Sequence, residues 1–507
     1  MTCDSELAAQ YFSSGHTGLS ATALLSSPDS SRHPLDLYEF AEEDFNLRKP
    51  QPGVWECFLG CRNKVHQQLA RRQVEQGLRL YNQNKQEAAV GKWHSALKRM
   101  RKTSDKFLLL GYLYEAYMNS GKYRESLEFA HRQLNLAEEV DNPNLRAEAY
   151  LNLAKLHERT GGLERALACA RHALYNECAQ CRVAGLVQVS VATIQLELAT
   201  FCKSLQAFQQ AFAIAQRIQD PALELQVYIG LSELFGRLQD ADKSARYASK
   251  AYDISRNLQI RDFHSRHHRI ALLQMASALR KQGELGDAYD YCTEASRQAL
   301  VSGDQFCYAK SVRIMGDIYR KKMEISNAYQ QYESAMITAG AMGDRLGHVE
   351  AMDGAARCLE TLRLQQKICN CRPLELNTRL LEIATAIGAK LMIHTVRVRL
   401  CQICQSLGDE EQGAEHERVA QILEEELELQ CGACNLPFGY NEDTLEALPC
   451  SHILHARCAY DLIRSRDPKK KRTCPDCDKA VSTSKLYLQS ETPVHSFGNL
   501  LLASSRV

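Results

Sequence analysis

Small and apolar residues recur with helical spacing from about residue 65 to residue 389. The repeated motif consists of a small residue, a second residue four positions later and, usually, another small residue three positions after that. Seven copies are separated by 37 to 44 residues: Ala89, Trp93, Ala96; Ser126, Ala130, Gln133; Ala166, Ala170, Ala173; Ser204, Phe208, Ala211; Ser244, Ala248, Ala251; Ala288, Cys292, Ala295; Ala328, Tyr332, Ala335. This spacing puts all three residues on one helix face. The steady period predicts an array of helical repeats.

Each copy of the motif follows a partner helix and a turn, such as the Gly161-Gly162 turn. Small residues let the partner helix approach closely, and an aromatic residue fills the space between neighbours. The unit resembles the tetratricopeptide repeat, whose usual period is about 34 residues. The fold class is therefore all-α, with seven to eight repeats over residues 65–389. We expect a right-handed superhelix whose concave groove binds extended or helical peptides.

Three further segments surround the array. Residues 1–64 contain Pro, Gly and Ser clusters, and residues 1–50 hold eight acids and three bases, so we expect a disordered acidic extension. Residues 390–430 read as a helical, coiled-coil-like connector whose acidic second helix either forms a coiled coil or packs onto the last repeat. Residues 481–507 read as a flexible tail.

Composition excludes several classes of protein. Net charge is +1, which gives no global field for nucleic acid, so no nucleic-acid partner is expected. No run approaches 18 apolar residues, which predicts no transmembrane segment. The start of the chain lacks a secretory signal pattern, so its 20 cysteines fit a reducing compartment with zinc better than disulfides.

Cysteine and histidine concentrate in residues 431–480. Eight of them follow metal-ligand spacing: Cys431, Cys434, Cys450, His452, His455, Cys458, Cys474 and Cys477. Two tetrahedral zinc sites need eight N or S donors, so the cofactor prediction is two zinc ions. A segment this short buries too little apolar surface to fold without metal.

The order of these residues resembles a RING finger with two central histidines. In that family the two sites interleave. The resemblance implies that Cys431, Cys434, His455 and Cys458 hold one zinc, and that Cys450, His452, Cys474 and Cys477 hold the other.

The whole arrangement resembles the rapsyn family, the receptor-associated scaffolds of the synapse. Supporting segments are Gln73 to Tyr81, Gly343 to Gly347 and Ala447 to His455. The resemblance implies a cytoplasmic scaffold, peripheral at the postsynaptic membrane, that clusters acetylcholine receptors through their cytoplasmic loops. It also implies self-association through the repeats and contact with dystroglycan-type or cytoskeletal proteins. The family is myristoylated on a second-position glycine, whereas this chain has Thr2, so we expect membrane attachment through partners.

An alternative function is that of a RING-type ubiquitin or ubiquitin-like ligase, which positions a loaded conjugating enzyme and has no catalytic residue of its own. The expected conjugating-enzyme contacts are Ala433, Leu462, Ile463 and Pro475. Family resemblance gives mixed support, because Ala433 stands where a bulky aliphatic residue is common. Fold analogy alone does not establish activity, so scaffolding ranks first and ligase activity second.

Overall fold

A computed structural model describes residues 54–176, 182–259, 266–369, 371–427, 429–439, 444–464 and 472–481. It divides into two compact units between Leu429 and Gln430. The first unit is a helical array, and the second contains the cysteine and histidine residues. The predicted acidic extension, up to residue 53, and the predicted tail, from residue 482, lie outside the described residues.

The array consists of helices that pack in succession along the chain. The described helices of this unit are α1 Val54–Asn82, α2 Gln86–Arg99, α3 Thr103–Asn119, α4 Tyr123–Glu139, α5 Pro143–Arg159, α6 Leu163–Asn176, α7 Arg182–Glu197, α8 Phe201–Ile218, α9 Pro221–Arg237, α10 Ala241–Gln259, α11 Arg266–Gln282, α12 Leu285–Ser302, α13 Gln305–Lys321, α14 Ile325–Met342, α15 Arg345–Leu364, α16 Cys371–Ile387, α17 Lys390–Leu407 and α18 Glu410–Glu426. Consecutive pairs form the helix-turn-helix units that the sequence predicts.

The repeated motif lies on the buried face of the second helix in each of the first seven helix pairs. Its 21 residues are at most 2% exposed. Glycines make room for the aromatic members: a Cβ on Gly230 would lie 2.2 Å from the Phe208 ring, and one on Gly354 would lie 2.1 Å from the Tyr332 ring. The predicted close packing is therefore confirmed, with the rings seated on glycine backbones of facing helices.

Serine at the first motif position adds a hydrogen bond between helices. The hydroxyls of Ser126, Ser204 and Ser244 donate to backbone carbonyls twelve residues earlier, at 3.0, 2.7 and 2.8 Å. Burying a hydroxyl without a partner would cost free energy. The three serines are thus small enough for close packing and are also hydrogen-bonded.

Both ends of the array extend beyond the predicted repeats. Helix α1 begins at Val54, within the stretch assigned to the extension. At the other end α17 packs against α16, and α18 packs against α17, so the segment called a connector continues the array as a ninth helix pair. Arg399 on α17 joins this pair to α15, because its guanidinium contacts Asp353 at 2.6 Å.

Charged side chains line the interior of the array. A cavity of about 110 Å³ lies there. Its acidic lining residues are Glu158, Glu197, Glu233, Asp344 and Glu350, and its basic lining residues are Arg159, Arg237, Lys310 and Arg313. Arg237 contacts Glu197 at 2.6 Å and Glu233 at 3.3 Å, and Arg313 contacts Glu350 at 3.2 Å. The Arg237–Glu197 and Arg313–Glu350 pairs join helices from successive repeats, whereas Arg237 and Glu233 lie one turn apart on α9.

Among the described residues, none of the helices combines the length and the apolar composition that a bilayer crossing requires.

Candidate metal centre

The second unit, residues 430–481, is called the Cys/His unit below. Its two Cys-x2-Cys pairs lie on tight turns with matching backbone hydrogen bonds. The N–H of Cys431 donates to the Leu436 carbonyl at 2.9 Å, and the N–H of Asn435 donates to the Cys431 carbonyl at 2.8 Å. The segment from Cys474 to Lys479 repeats both bonds, at 2.9 and 3.0 Å. Each turn therefore holds its two thiols close together.

The fifth residue of each turn has a left-handed backbone conformation. These residues are Asn435, with φ of 57°, and Asp478, with φ of 55°. Asn and Asp tolerate this conformation better than most residues other than glycine. An Asn or Asp directly after each Cys-x2-Cys pair is a sequence signal for this left-handed turn. The ligand spacing alone did not predict the turn.

A short hairpin and a helix supply the other ligand candidates. Strand β1, Leu445–Ala447, pairs antiparallel with β2, Ile453–His455. His455 ends β2, and helix α19, Ala456–Arg464, follows at once. One turn of this helix places Cys458 beside His455.

Two further candidates lie in the turn of the hairpin. They are Cys450 and His452, and the His452 Nδ1 atom lies 3.4 Å from the Cys450 Sγ atom. Ser451 between them has a φ of 69°. The turn of the hairpin therefore carries one pair of ligand candidates, Cys450 and His452. The base of the hairpin carries His455, which lies beside Cys458.

The fold gathers the eight residues into two sets of four. Within each set all ligand atoms lie within 4.8 Å of one another. One set is Cys431, Cys434, His455 and Cys458, and the other is Cys450, His452, Cys474 and Cys477. These are the sets implied by the RING resemblance. Cys and His in fours are the usual donors of a structural zinc site, so the residues fit this metal.

Close packing around the clusters was missed by sequence reasoning. The two cysteine turns touch, because a Cβ on Gly432 would lie 2.0 Å from a carboxylate oxygen of Asp476. The Phe438 ring packs edge-on against His455 at 5.5 Å between ring centres. Phe438 is buried and orients this imidazole.

The thiols of each cluster influence one another. Burial and the neighbouring Cys434 and Cys431 raise the pKa of Cys458 to about 12. Burial raises the pKa of Cys431 as well, but hydrogen bonds from backbone groups outweigh it and lower that pKa overall. Cys431 therefore loses its proton more readily than Cys458.

The expected conjugating-enzyme contacts lie on the surface of the Cys/His unit. Ala433 and Pro475 are exposed, one in each cysteine turn. Leu462 and Ile463 are half-buried on α19. Exposed Leu436 adds apolar surface that the sequence did not single out.

Together, the fold and the site define a class: a tetratricopeptide-like helical-repeat protein that ends in a small unit with two Cys/His clusters. Known proteins are similar to this chain over most of its length. The chain is 29% identical over 416 residues to the 43 kDa receptor-associated protein of the synapse of Tetronarce californica, covering 82% of this chain and 98% of that protein. The Gallus gallus protein of the same name is 28% identical over 418 residues, covering 81% and 97%.

A family profile agrees with these matches over part of the chain, and a solved structure shares the helical fold. Residues 65–144 match the family described as the Rapsyn N-terminal myristoylation and linker region. A crystal structure of a Rap protein complexed with competence and sporulation factor superposes with a TM-score of 0.50 at 13% identity, covering 71% of this chain and 98% of that one. The latter likeness concerns the helical fold alone. The resemblance to the rapsyn family is confirmed.

Proposed function

We propose that this protein is a scaffold that binds the cytoplasmic loops of acetylcholine receptors and clusters them at the postsynaptic membrane. The observation that carries the proposal is the similarity to receptor-associated proteins of the synapse over nearly their whole length. In this proposal the chain is cytoplasmic and peripheral, held at the membrane by its receptor partner, and it links receptors to dystroglycan-type or cytoskeletal proteins.

Two zinc ions stabilise the Cys/His unit in this proposal. Cys431, Cys434, His455 and Cys458 hold one ion. The second set, Cys450, His452, Cys474 and Cys477, holds the other. The metal acts structurally, because each ion would join stretches that are far apart in sequence, and a unit this small needs such cross-links to fold.

The acidic surface of α18 supports a contact with a basic receptor loop. Glu411, Glu424 and Glu425 are exposed on this helix, and Ile422, also exposed, adds an apolar contact. Opposite charges speed the association of such surfaces and help to select the partner. Self-association through the repeats would then gather several bound receptors.

The test is co-expression of the full chain with acetylcholine receptor subunits, with receptor clusters counted by fluorescence and complexes recovered by precipitation. Reversing Glu411, Glu424 and Glu425 to lysine is expected to reduce recovery at least tenfold. The matched control reverses Glu375 and Glu382, which are exposed on α16. Absence of clusters with the unaltered chain would refute the proposal, and equal loss in both variants would refute the role of α18.

The second candidate function is ligase activity of the RING type. The observation that favours it is the exposure of Ala433 and Pro475 on two touching cysteine turns, with Leu462 and Ile463 partly accessible on α19. Purified chain is expected to build ubiquitin or ubiquitin-like conjugates with a suitable conjugating enzyme, and Ile463→Ala should reduce this activity without reducing bound zinc. No conjugates across a panel of conjugating enzymes would exclude this function.

A further inference from the structure

Distant repeats of the array meet on one side. The side-chain amide of Gln86, at the start of α2, donates at 3.0 Å to the carbonyl of Ser302, which ends α12. These residues are 216 positions apart in the chain. Helices α5 and α15 also contact each other. The array therefore makes contacts beyond those between neighbouring repeats.

Two turn glycines allow this meeting. A Cβ on Gly121 would lie 2.5 Å from the Met342 side chain, and one on Gly161 would lie 3.0 Å from Ile387. Leu163 extends the contact, because it belongs to the same apolar cluster as Leu346.

An aromatic ring lies between two cations at the same place. The Arg159 guanidinium carbon is 4.1 Å from the centre of the Phe306 ring, and the Arg266 carbon is 5.4 Å from it. Arg266 also contacts Asp304 at 3.3 Å and donates to Asn119. We call this set of contacts between residues 86–163 and residues 266–387 the closure seam.

The closure seam forms part of the wall of the central cavity. Arg159, Phe306 and Asp344 belong to the seam and also line the cavity. The rest of the lining comes from the interior of the array, including Lys310 and Glu233. Separation of the seam would therefore expose the charged interior.

The seam is less extensive than the interfaces between neighbouring repeats. Neighbouring repeats interlock through the buried motif residues, whereas the seam combines turn glycines and a few apolar side chains with buried charges. A buried ion pair adds little net stability, because desolvation offsets the attraction. Burial even outweighs Arg159 in setting the pKa of Asp344, which is raised. Local opening of a weak contact costs less than global unfolding.

We infer that the closure seam opens while the individual repeats stay folded, and that it gates the access of charged groups to the central cavity. The inference does not depend on the proposed receptor.

Two buried thiols provide a matched pair of reporters. Cys307 lies beside Phe306 in the seam, and Cys358 lies on α15 within an apolar cluster with Tyr332. Both are fully buried, and burial raises the pKa of each to about 11. Because their chemistry is so similar, a difference in alkylation rate reports a difference in access.

The experiment measures alkylation of both thiols by N-ethylmaleimide in the full chain, using mass spectrometry. In the unaltered protein Cys307 is expected to react at least tenfold faster than Cys358. Gly161→Ala should raise the alkylation rate of Cys307 a further tenfold and leave the alkylation rate of Cys358 unchanged. The control is Gly408→Ala, which has a similar φ, +77° against +78°, but no atom within 4 Å of its Cβ, so it adds backbone strain without touching the seam.

Gly121→Ala provides a second, independent perturbation and should act in the same direction. Equal acceleration of both thiols would mean that the seam opens only when the array unfolds, and the inference would be wrong. It would also be wrong if neither seam variant changed the rate at Cys307, or if Gly408→Ala changed it as much.

Discussion

Replacing Arg399 by alanine should remove most of the stability of the last helix pair. The Arg399 Nη2 atom lies 2.6 Å from the Asp353 carboxylate, and its Nε atom donates to Asn377 at 3.1 Å. The side chains of the ion pair are 9% and 12% exposed. The substitution leaves the Asp353 carboxylate buried without this partner. Arg357 still contacts this carboxylate at 2.8 Å, so the expected cost lies below the about 3–5 kcal/mol of leaving a buried charge with no partner.

The loss depends on pH in a definite direction. Burial raises the pKa of Asp353, but Arg399 and Arg357 outweigh burial and hold that pKa below its ordinary value. The pair therefore contributes its full stability above the ordinary aspartate pKa of about 3.9, and this contribution is lost as pH falls through the folded-state pKa. The difference between the two proteins should be largest near pH 7 and should shrink below about pH 4.

The assay is urea unfolding followed by helical circular dichroism, together with hydrogen exchange in α17 and α18, because repeat arrays can unfold in segments. Arg297→Ala is the control, since Arg297 forms a similar 2.7 Å ion pair with Glu294 but is 65% exposed. It should change the free energy of unfolding by less than about 1 kcal/mol. Equal effects of the two substitutions, or an Arg399→Ala effect that does not shrink in acid, would refute the reasoning.

Three other predictions follow from single side chains. Gly432→Ala should leave two zinc ions per chain by elemental analysis, because its Cβ meets only the carboxylate of exposed Asp476, which can turn away, whereas Cys431→Ala should lower bound zinc below two. Cys369 should be alkylated at least tenfold faster than Cys404 at pH 7, because Cys369 is exposed and hydrogen bonds from backbone groups lower its pKa, whereas burial raises that of Cys404. Glu148→Gln should raise the melting temperature near pH 7, because burial raises the pKa of Glu148 and its ionisation opposes folding, and the gain should disappear as pH falls to the ordinary glutamate value of about 4.

The features predicted well from sequence are those determined by nearby residues. The Ser204, Phe208, Ala211 motif predicts a buried helix face because helical periodicity alone places its members together. The ligand sets came from spacing combined with a family resemblance, and the structure gathers the same residues.

The features not predicted depend on contacts between distant residues. Nothing local to Gln86 or Ser302 indicates that they meet, since their contact depends on small rotations added over many repeats. The sequence left open whether residues 390–430 form a coiled coil or pack onto the last repeat, because the packing of α17 and the Arg399–Asp353 ion pair depend on residues distant in the chain.

The hairpin of the Cys/His unit affects how metal would be taken up. Its turn and its base contribute to different clusters, so both depend on one small piece of backbone. Filling either cluster organises the hairpin and thereby prepares the other. At limiting metal, molecules should therefore carry two ions or none, and a lesion between Cys450 and Cys458 should abolish both sites together.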